Sequence, residues 1–184
     1  MKATGIVRRV DDLGRIVIPK EIRRTMRLKE GEPLEIYTGG DSSITLKKYS
    51  PIKELGTYAD EYSEALCNAL GCPVIITDND CIVSVSGASK KEYASMPISV
   101  DMERALSTFK PMFTSPASPS TPITLTANEK DPTDYYAQCI CPIILNSDVI
   151  GGVVAFSKMP NRLYEQSAMN AVRATAMLAA RQLS

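Results

Sequence analysis

The sequence predicts an α+β protein of two units: a short basic front of ββαββ order, and a longer acidic back with an antiparallel sheet flanked by helices. Three observations predict it. Charge is segregated, because residues 1–50 carry 11 Lys+Arg against 7 Asp+Glu, while residues 51–184 carry 10 against 14, within a neutral 184-residue chain. The first fifty residues alternate β-branched runs with turn residues around one short helical stretch. The remainder opens and closes on segments of helical period that enclose apolar runs joined by hairpin turns. The boundaries fall at 1–50 for the front, 51–56 for a linker leading into a helix, and 57–184 for the back.

In the front, TGIVRRV (4–10) reads as a strand, Asp11-Asp12-Leu13-Gly14 as a turn, and Arg15–Ile18 as a second strand with Ile16 and Ile18 on one face. Pro19 ends that strand and suits the first turn of a helix over Glu21–Leu28, with Gly31 as its stop. Lys20, Arg24 and Arg27 share one helical stripe, with Arg23 beside them. Strands at Pro33–Thr38 and Ser43–Tyr49 follow, joined across Gly39-Gly40-Asp41. Fifty residues with few aromatics bury too little surface to stand alone. Two copies interleaving their hairpins would supply the missing core. They would also gather two sets of Arg8, Arg15, Arg23 and Arg24 on one face, and guanidinium groups can neutralise phosphates and reach base edges.

TGIVRRVDDLGRIVIPKEIRRTMRLKEGEPLEIY, followed by ITLKKYSP, resembles the AbrB-type swapped-hairpin DNA-binding domain over nearly all of residues 1–50. The resemblance implies an intertwined dimeric ββαββ β-barrel that binds double-stranded DNA. Its contacts would come from Arg8, Arg15, Arg23 and Arg24, with Arg9 keeping the charge where the family often has Lys.

The back opens on a helix over Ile52–Leu70, where Leu55, Ala59, Tyr62, Leu66 and Ala69 recur at the helical period and Gly71 and Pro73 end it. PVIITD and CIVSVSG form a hairpin across Asp78-Asn79-Asp80. A helical stretch lies within SKKEYASMPISVDMERALSTF. KPMFTSPASPSTP reads as an extended loop over 111–122, and ITLT as a strand. Cys139–Leu145 and Ile150–Ser157 make the clearest hairpin, joined across Asn146-Ser147-Asp148, with Pro142 at a bulge or edge and Gly151-Gly152 at a close approach. A helix from about Arg162 to Leu183 closes the chain.

This order resembles a GAF-type sensor domain. With the front it resembles the stage V sporulation protein T family, supported by SKKEY and IGGVVAFSK. That resemblance implies a transcription regulator, activator and repressor, of late, forespore-stage sporulation genes. It also implies a tetramer of DNA-binding dimers joined through GAF-like domains. A GAF fold leaves room for an unidentified small-molecule ligand between the sheet, Ser86–Lys91 and the proline-rich loop.

Nothing points to catalysis. There is no histidine, so Ser-His and Cys-His schemes fail. Ser50-Pro51-Ile52-Lys53 spells S-x-x-K without its companion motifs. The five cysteines lack a zinc-ligand spacing and read as small buried hydrophobes, and Asp78 and Asp80 read as turn residues rather than metal ligands. The expectation is a non-enzyme with no known cofactor and no metal. With neither an apolar span nor a signal peptide, a cytoplasmic location with no membrane partner is expected, and the resemblance implies that it is nucleoid-associated and in the forespore. The runner-up is an AbrB-type protein-interaction module of the antitoxin kind, disfavoured because residues 51–184 are apolar and periodic rather than a disordered tail.

The terminal helix carries two apolar stripes. Met169, Val172, Ala176, Ala179 and Leu183 repeat at 3-4-3-4 spacing as a seam, and Tyr164, Ala168, Ala171 and Leu178 lie around the helix from it. One stripe suffices to cover the domain's own sheet. The seam is therefore expected to meet another chain and to build the tetramer.

Overall fold

The computed structural model describes residues 5–160, 162–163 and 165–184. The chain divides into two units, residues 1–49 and 50–184.

In the front unit, α1 spans Lys20–Thr25, and β1 (Leu34–Thr38) pairs antiparallel with β2 (Ile44–Lys48), placing Ile36 opposite Leu46. Helix α1 is shorter than its sequence pattern suggests. Arg27 takes φ 52°, and the Leu28 N–H closes back on the Arg23 carbonyl at 2.8 Å, so a left-handed residue stops the helix before Gly31 can. The expected strands over 4–10 and 15–18 differ more. Thr4 lies outside the described residues, and residues 5–10 and 15–18 belong to no ladder. Their turn is nevertheless closed: Asp11 N–H donates to the Arg15 carbonyl and Gly14 N–H to the Asp11 carbonyl, both at 3.0 Å. The physical reason is a shortage of partners within one chain. Among the described residues of this unit Pro19 alone is buried, whereas Val7 is 86%, Leu13 70% and Val17 71% exposed.

The back unit is a three-layer sandwich. A five-stranded antiparallel sheet runs in the order β4-β3-β7-β6-β5, with β3 at Val74–Asp78, β4 at Ile82–Ser86, β5 at Met112–Thr114, β6 at Ala137–Leu145 and β7 at Asp148–Ser157. One face packs against α2 (Pro51–Glu54), α3 (Thr57–Leu70) and α6 (Glu165–Gln182) through Val74, Ile76, Cys139, Cys141, Val153 and Ala155. The other packs against α4 (Lys90–Tyr93), α5 (Val100–Leu106) and Leu125 through Ile75, Ile140, Val154 and Phe156. Alternate residues of each strand thus serve opposite cores, which is why β3 opens on the consecutive apolar residues Val74, Ile75 and Ile76.

Residues 51–56 are a structured part of the back unit rather than a linker. Ile52 and Leu55 are buried in the α3/α6 core, and Gly56, at φ 52°, separates α2 from α3. The Ser50 hydroxyl donates to the Asp78 carboxylate at 2.9 Å, and Lys53 Nζ stands 3.4 Å from it. The same carboxylate accepts the N–H groups of Asp80 (2.8 Å) and Cys81 (2.7 Å), so Asp78 organises the β3–β4 turn. Burial pushes its pKa up. The Cys81 and Asp80 N–H groups, the Ser50 hydroxyl and Lys53 outweigh that and hold it below the usual value.

The β6–β7 hairpin turns on two residues, Asn146 and Ser147, at φ 50° and 72°, the pairing a tight primed turn requires. At Gly151 an added Cβ would strike the Thr77 carbonyl, and at Gly152 it would strike Leu106, so the close approach expected there is present. Pro142 lies beyond the reach of β5, whose pairing ends at Ile140. The Lys110–Pro122 segment opens with β5, a strand its sequence concealed. ITLT forms no strand. Gln138, buried in β6, instead bonds both main-chain groups of Ile123.

The terminal helix requires a correction. Val172, Ala176 and Ala179 are buried in the unit's own core, Leu183 packs against it, and Met169 Sδ receives the Cys139 thiol at 3.6 Å. The 3-4-3-4 seam faces β6 and is not a free surface, because the broad sheet beneath it needs covering on this side. Of the second stripe Ala168 is buried too, Ala171 packs against the core, Tyr164 lies outside the described residues, and Leu178 is exposed beside Met177.

Candidate nucleic-acid interface

The site is built on the Asp11 turn and on α1. Asp11 accepts the N–H groups of Leu13 (3.0 Å) and Arg15 (2.7 Å) through Oδ1, while its Oδ2 takes Arg15 Nε at 2.7 Å. These contacts hold the Asp11 carboxyl below its usual pKa, chiefly the Arg15 N–H and guanidinium. Arg15 is therefore a positioned cation. Its side chain, still 68% exposed, is oriented by one carboxylate and keeps its outer face in solvent.

Arg8 and Arg9 lie just before that turn, and Arg23 and Arg24 fill the last turn of α1, where cations also complement the helix carbonyls. All five arginines are exposed. Arg8, Arg9, Arg23 and Arg24 make no ion pair among the described residues, so nothing described neutralises their charge. Pro19 leads into α1, and the Arg23 N–H donates to the Pro19 carbonyl at 2.9 Å, tying the helix to the end of the preceding arm. A short unit that carries both unpaired guanidiniums and the exposed Val7, Val10, Leu13 and Val17 can do two things at once. It can attract phosphate, and it can bury apolar surface against a second chain.

The back unit carries an open cavity of about 440 Å³ off one end of the sheet. It meets the expected ligand region only at Gly87–Ser89. The rest of its wall comes from residues 71–73, 92–93, 156–159 and Arg162 rather than from the proline-rich loop. Between the sheet and the outer segments the space is filled by side chains. The Tyr135 ring meets Phe156 edge-on at 5.3 Å, the Tyr93 and Tyr135 hydroxyls are 2.9 Å apart, and Tyr135 donates to Glu129 at 2.7 Å. Sequence reasoning missed the wall formed by Ser157, Lys158, Met159 and Arg162 because nothing in their sequence announces a pocket. Burial pushes the thiols of Cys72 and Cys141 up to about 11 and that of Cys139 up to about 12, in keeping with cysteines that pack rather than react.

Residues 54–184 match the family model described as stage V sporulation protein T C-terminal, transcription factor. The chain is 50% identical over 158 residues to "Stage V sporulation protein T" of Bacillus subtilis (strain 168), covering 86% of each. The chain belongs to the stage V sporulation protein T family. Residues 7–54 match the model for "Antidote-toxin recognition MazE, bacterial antitoxin". A 51-residue stretch is 61% identical to the "Transition state regulatory protein AbrB" of the same organism, 28% of this chain and 52% of that one. Among solved structures, the GAF domain of an Acinetobacter phosphoenolpyruvate-protein phosphotransferase has a TM-score of 0.54 at 12% identity, over 74% of this chain and 84% of that one. The blue-light absorbing form of the Thermosynechococcus elongatus PixJ GAF domain has a TM-score of 0.52 at 13% identity, over 72% and 88%. These likenesses establish the fold: in this member of the stage V sporulation protein T family, an AbrB-type front precedes a GAF-like sheet.

Proposed function

We propose that this chain is a DNA-binding transcription regulator of late, forespore-stage sporulation genes, acting as activator or repressor according to the site. Its front unit would bind double-stranded DNA as an intertwined dimer. Its GAF-like unit would join dimers into a tetramer and sense a small molecule. The observation that carries the reading is the front unit's combination of unpaired arginines with almost no core of its own. Arg8, Arg9, Arg23 and Arg24 make no ion pair among the described residues, and a second copy would cover the unit's exposed apolar residues. Dimerisation supplies the core and doubles the arginines along one duplex, with Arg15 held in place by Asp11.

The assembly surface moves with the correction to α6. Met177 and Leu178, 60% and 55% exposed on the outer side of that helix, offer a second copy adjacent apolar side chains that the unit's own core does not use. The antitoxin reading is weaker. It requires a disordered tail to wrap a partner, whereas residues 50–184 form a packed sandwich.

The test is fluorescence anisotropy of the full chain on labelled fragments of sporulation promoters across a salt series. Binding whose log–log slope indicates several neutralised phosphates supports the reading. No binding at low salt overturns it.

A further inference from the structure

Three neighbouring strands end together at one edge of the back unit. The start of β3, the end of β4 and the end of β7 are adjacent in the sheet, with Val74 opposite both Ser86 and Ala155. The cavity of about 440 Å³ lies off that end, a volume suited to a small metabolite. Its wall has an apolar floor and a charged rim. Phe156, Tyr93 and Cys72 form the floor, each almost fully buried. Lys158, Arg162 and Glu92 line the cavity above them.

The rim is shaped rather than loose. The Ser157 hydroxyl donates to the Met159 carbonyl at 2.7 Å and accepts the Met159 N–H at 3.0 Å, closing a turn that presents Lys158. Lys158 Nζ stands 5.5 Å from the centroid of the Tyr135 ring. On the opposite wall Gly87 has φ +73°, and an added Cβ would meet Cys67 Sγ at 2.6 Å and Pro73 Cα at 3.2 Å, so this wall is packed to contact. Neither Lys158 nor Arg162 makes an ion pair among the described residues. Two cations against the single carboxylate of Glu92 at the mouth of the cavity leave a positive potential focused into it.

We infer that this cavity binds a small organic acid, with one anionic group at Lys158 and Arg162 and an apolar or aromatic body over Phe156, Tyr93 and Cys72. Glu92 sets the charge limit. Beside two cations it leaves a net of one positive charge among the lining residues, which suits a carboxylate best and disfavours polyphosphates. The assignment rests on the reading of the GAF-like unit as a sensor and names the chemistry that the unit would sense.

Methionine-methyl NMR of the full-length chain tests it. Met159 lines the cavity and reports occupancy, while Met102, fully buried in the core beneath α5, reports the fold. The probes are phenylacetate, indole-3-acetate and phenyl phosphate, against phenylacetamide, inorganic phosphate and GTP. At least one aromatic acid should shift the Met159 methyl saturably, with its neutral amide binding about tenfold more weakly. The K158Q/R162Q variant should lose about tenfold in affinity with the Met102 methyl unmoved. Any of three results overturns the inference: a Met159 methyl unmoved by all three acids, amide and acid binding equally, or GTP binding more tightly than the acids. The amide comparison uses the wild-type chain and stands whether or not the variant folds. No DNA is present, so failure here leaves the DNA-binding reading intact, and failed DNA binding leaves this one intact.

Discussion

The side-chain amide of Gln138 pairs with the main chain of Ile123 as a strand would: Nε2 donates to the Ile123 carbonyl at 2.7 Å, and Oε1 accepts the Ile123 N–H at 2.9 Å. Gln138 is fully buried, so no water replaces either bond. Gln138→Leu should cost about 1–3 kcal/mol, because it strands two main-chain groups. Gln138→Glu should cost at least as much, since a carboxylate cannot donate to the carbonyl. Chemical denaturation of the two variants checks this, and a loss near zero in both would show that the segment repacks freely.

Asp78 should make the back unit sensitive to acid. Its carboxyl is held below the usual value in the folded state, so its contribution is fully present above about pH 4 and is lost as pH falls through the folded value. Asp78→Asn should remove that part of the acid slope and lower stability near neutrality, because Lys53 and the Ser50 hydroxyl lose their charged partner. Thermal melts of both proteins from pH 7 downward measure it. Parallel curves would contradict the assignment.

Replacing Arg8, Arg9, Arg23 or Arg24 singly with Ala should weaken DNA binding and reduce the salt slope by about 0.9 for each phosphate no longer neutralised. Asp11→Ala is the complementary probe. It frees Arg15 from its 2.7 Å tether, so binding should become weaker although a negative charge has been removed. Tighter binding by the Asp11 variant would mean that Arg15 is restrained rather than positioned.

In α6, Val172→Glu should unfold the back unit, because it places a charge in a fully buried site. Met177→Glu/Leu178→Glu should leave the unit folded and reduce its association. Sedimentation and circular dichroism separate the two. A Met177/Leu178 variant with unchanged mass would move the assembly surface elsewhere.

The β1–β2, β3–β4 and β6–β7 hairpins were legible in the sequence because their signals are local: alternating or continuous apolar runs, and turn residues such as Asn146-Ser147 that accept positive φ. β5 was hidden because three residues beside a proline have no period, and its place is set by β6. The α6 stripes could not be ranked, since alanines on every side fit both core and interface; burial was decided by where the sheet lies. The arginines were legible as charge, but the Asp11–Arg15 tether depends on a turn conformation that spacing does not reveal. The cavity draws on three turns far apart in the chain, so no single motif could mark it.

A front unit in which, among the described residues, Pro19 alone is buried has a consequence for the cell's control over dosage. If folding of the DNA-reading surface requires two chains, the amount of competent protein rises as the square of the amount synthesised while chains are scarce. Basal leakage of a few copies would then occupy almost no promoters, and a modest burst of synthesis would switch many together. The threshold would need no additional inhibitor, because it is set by the surface a lone chain leaves uncovered.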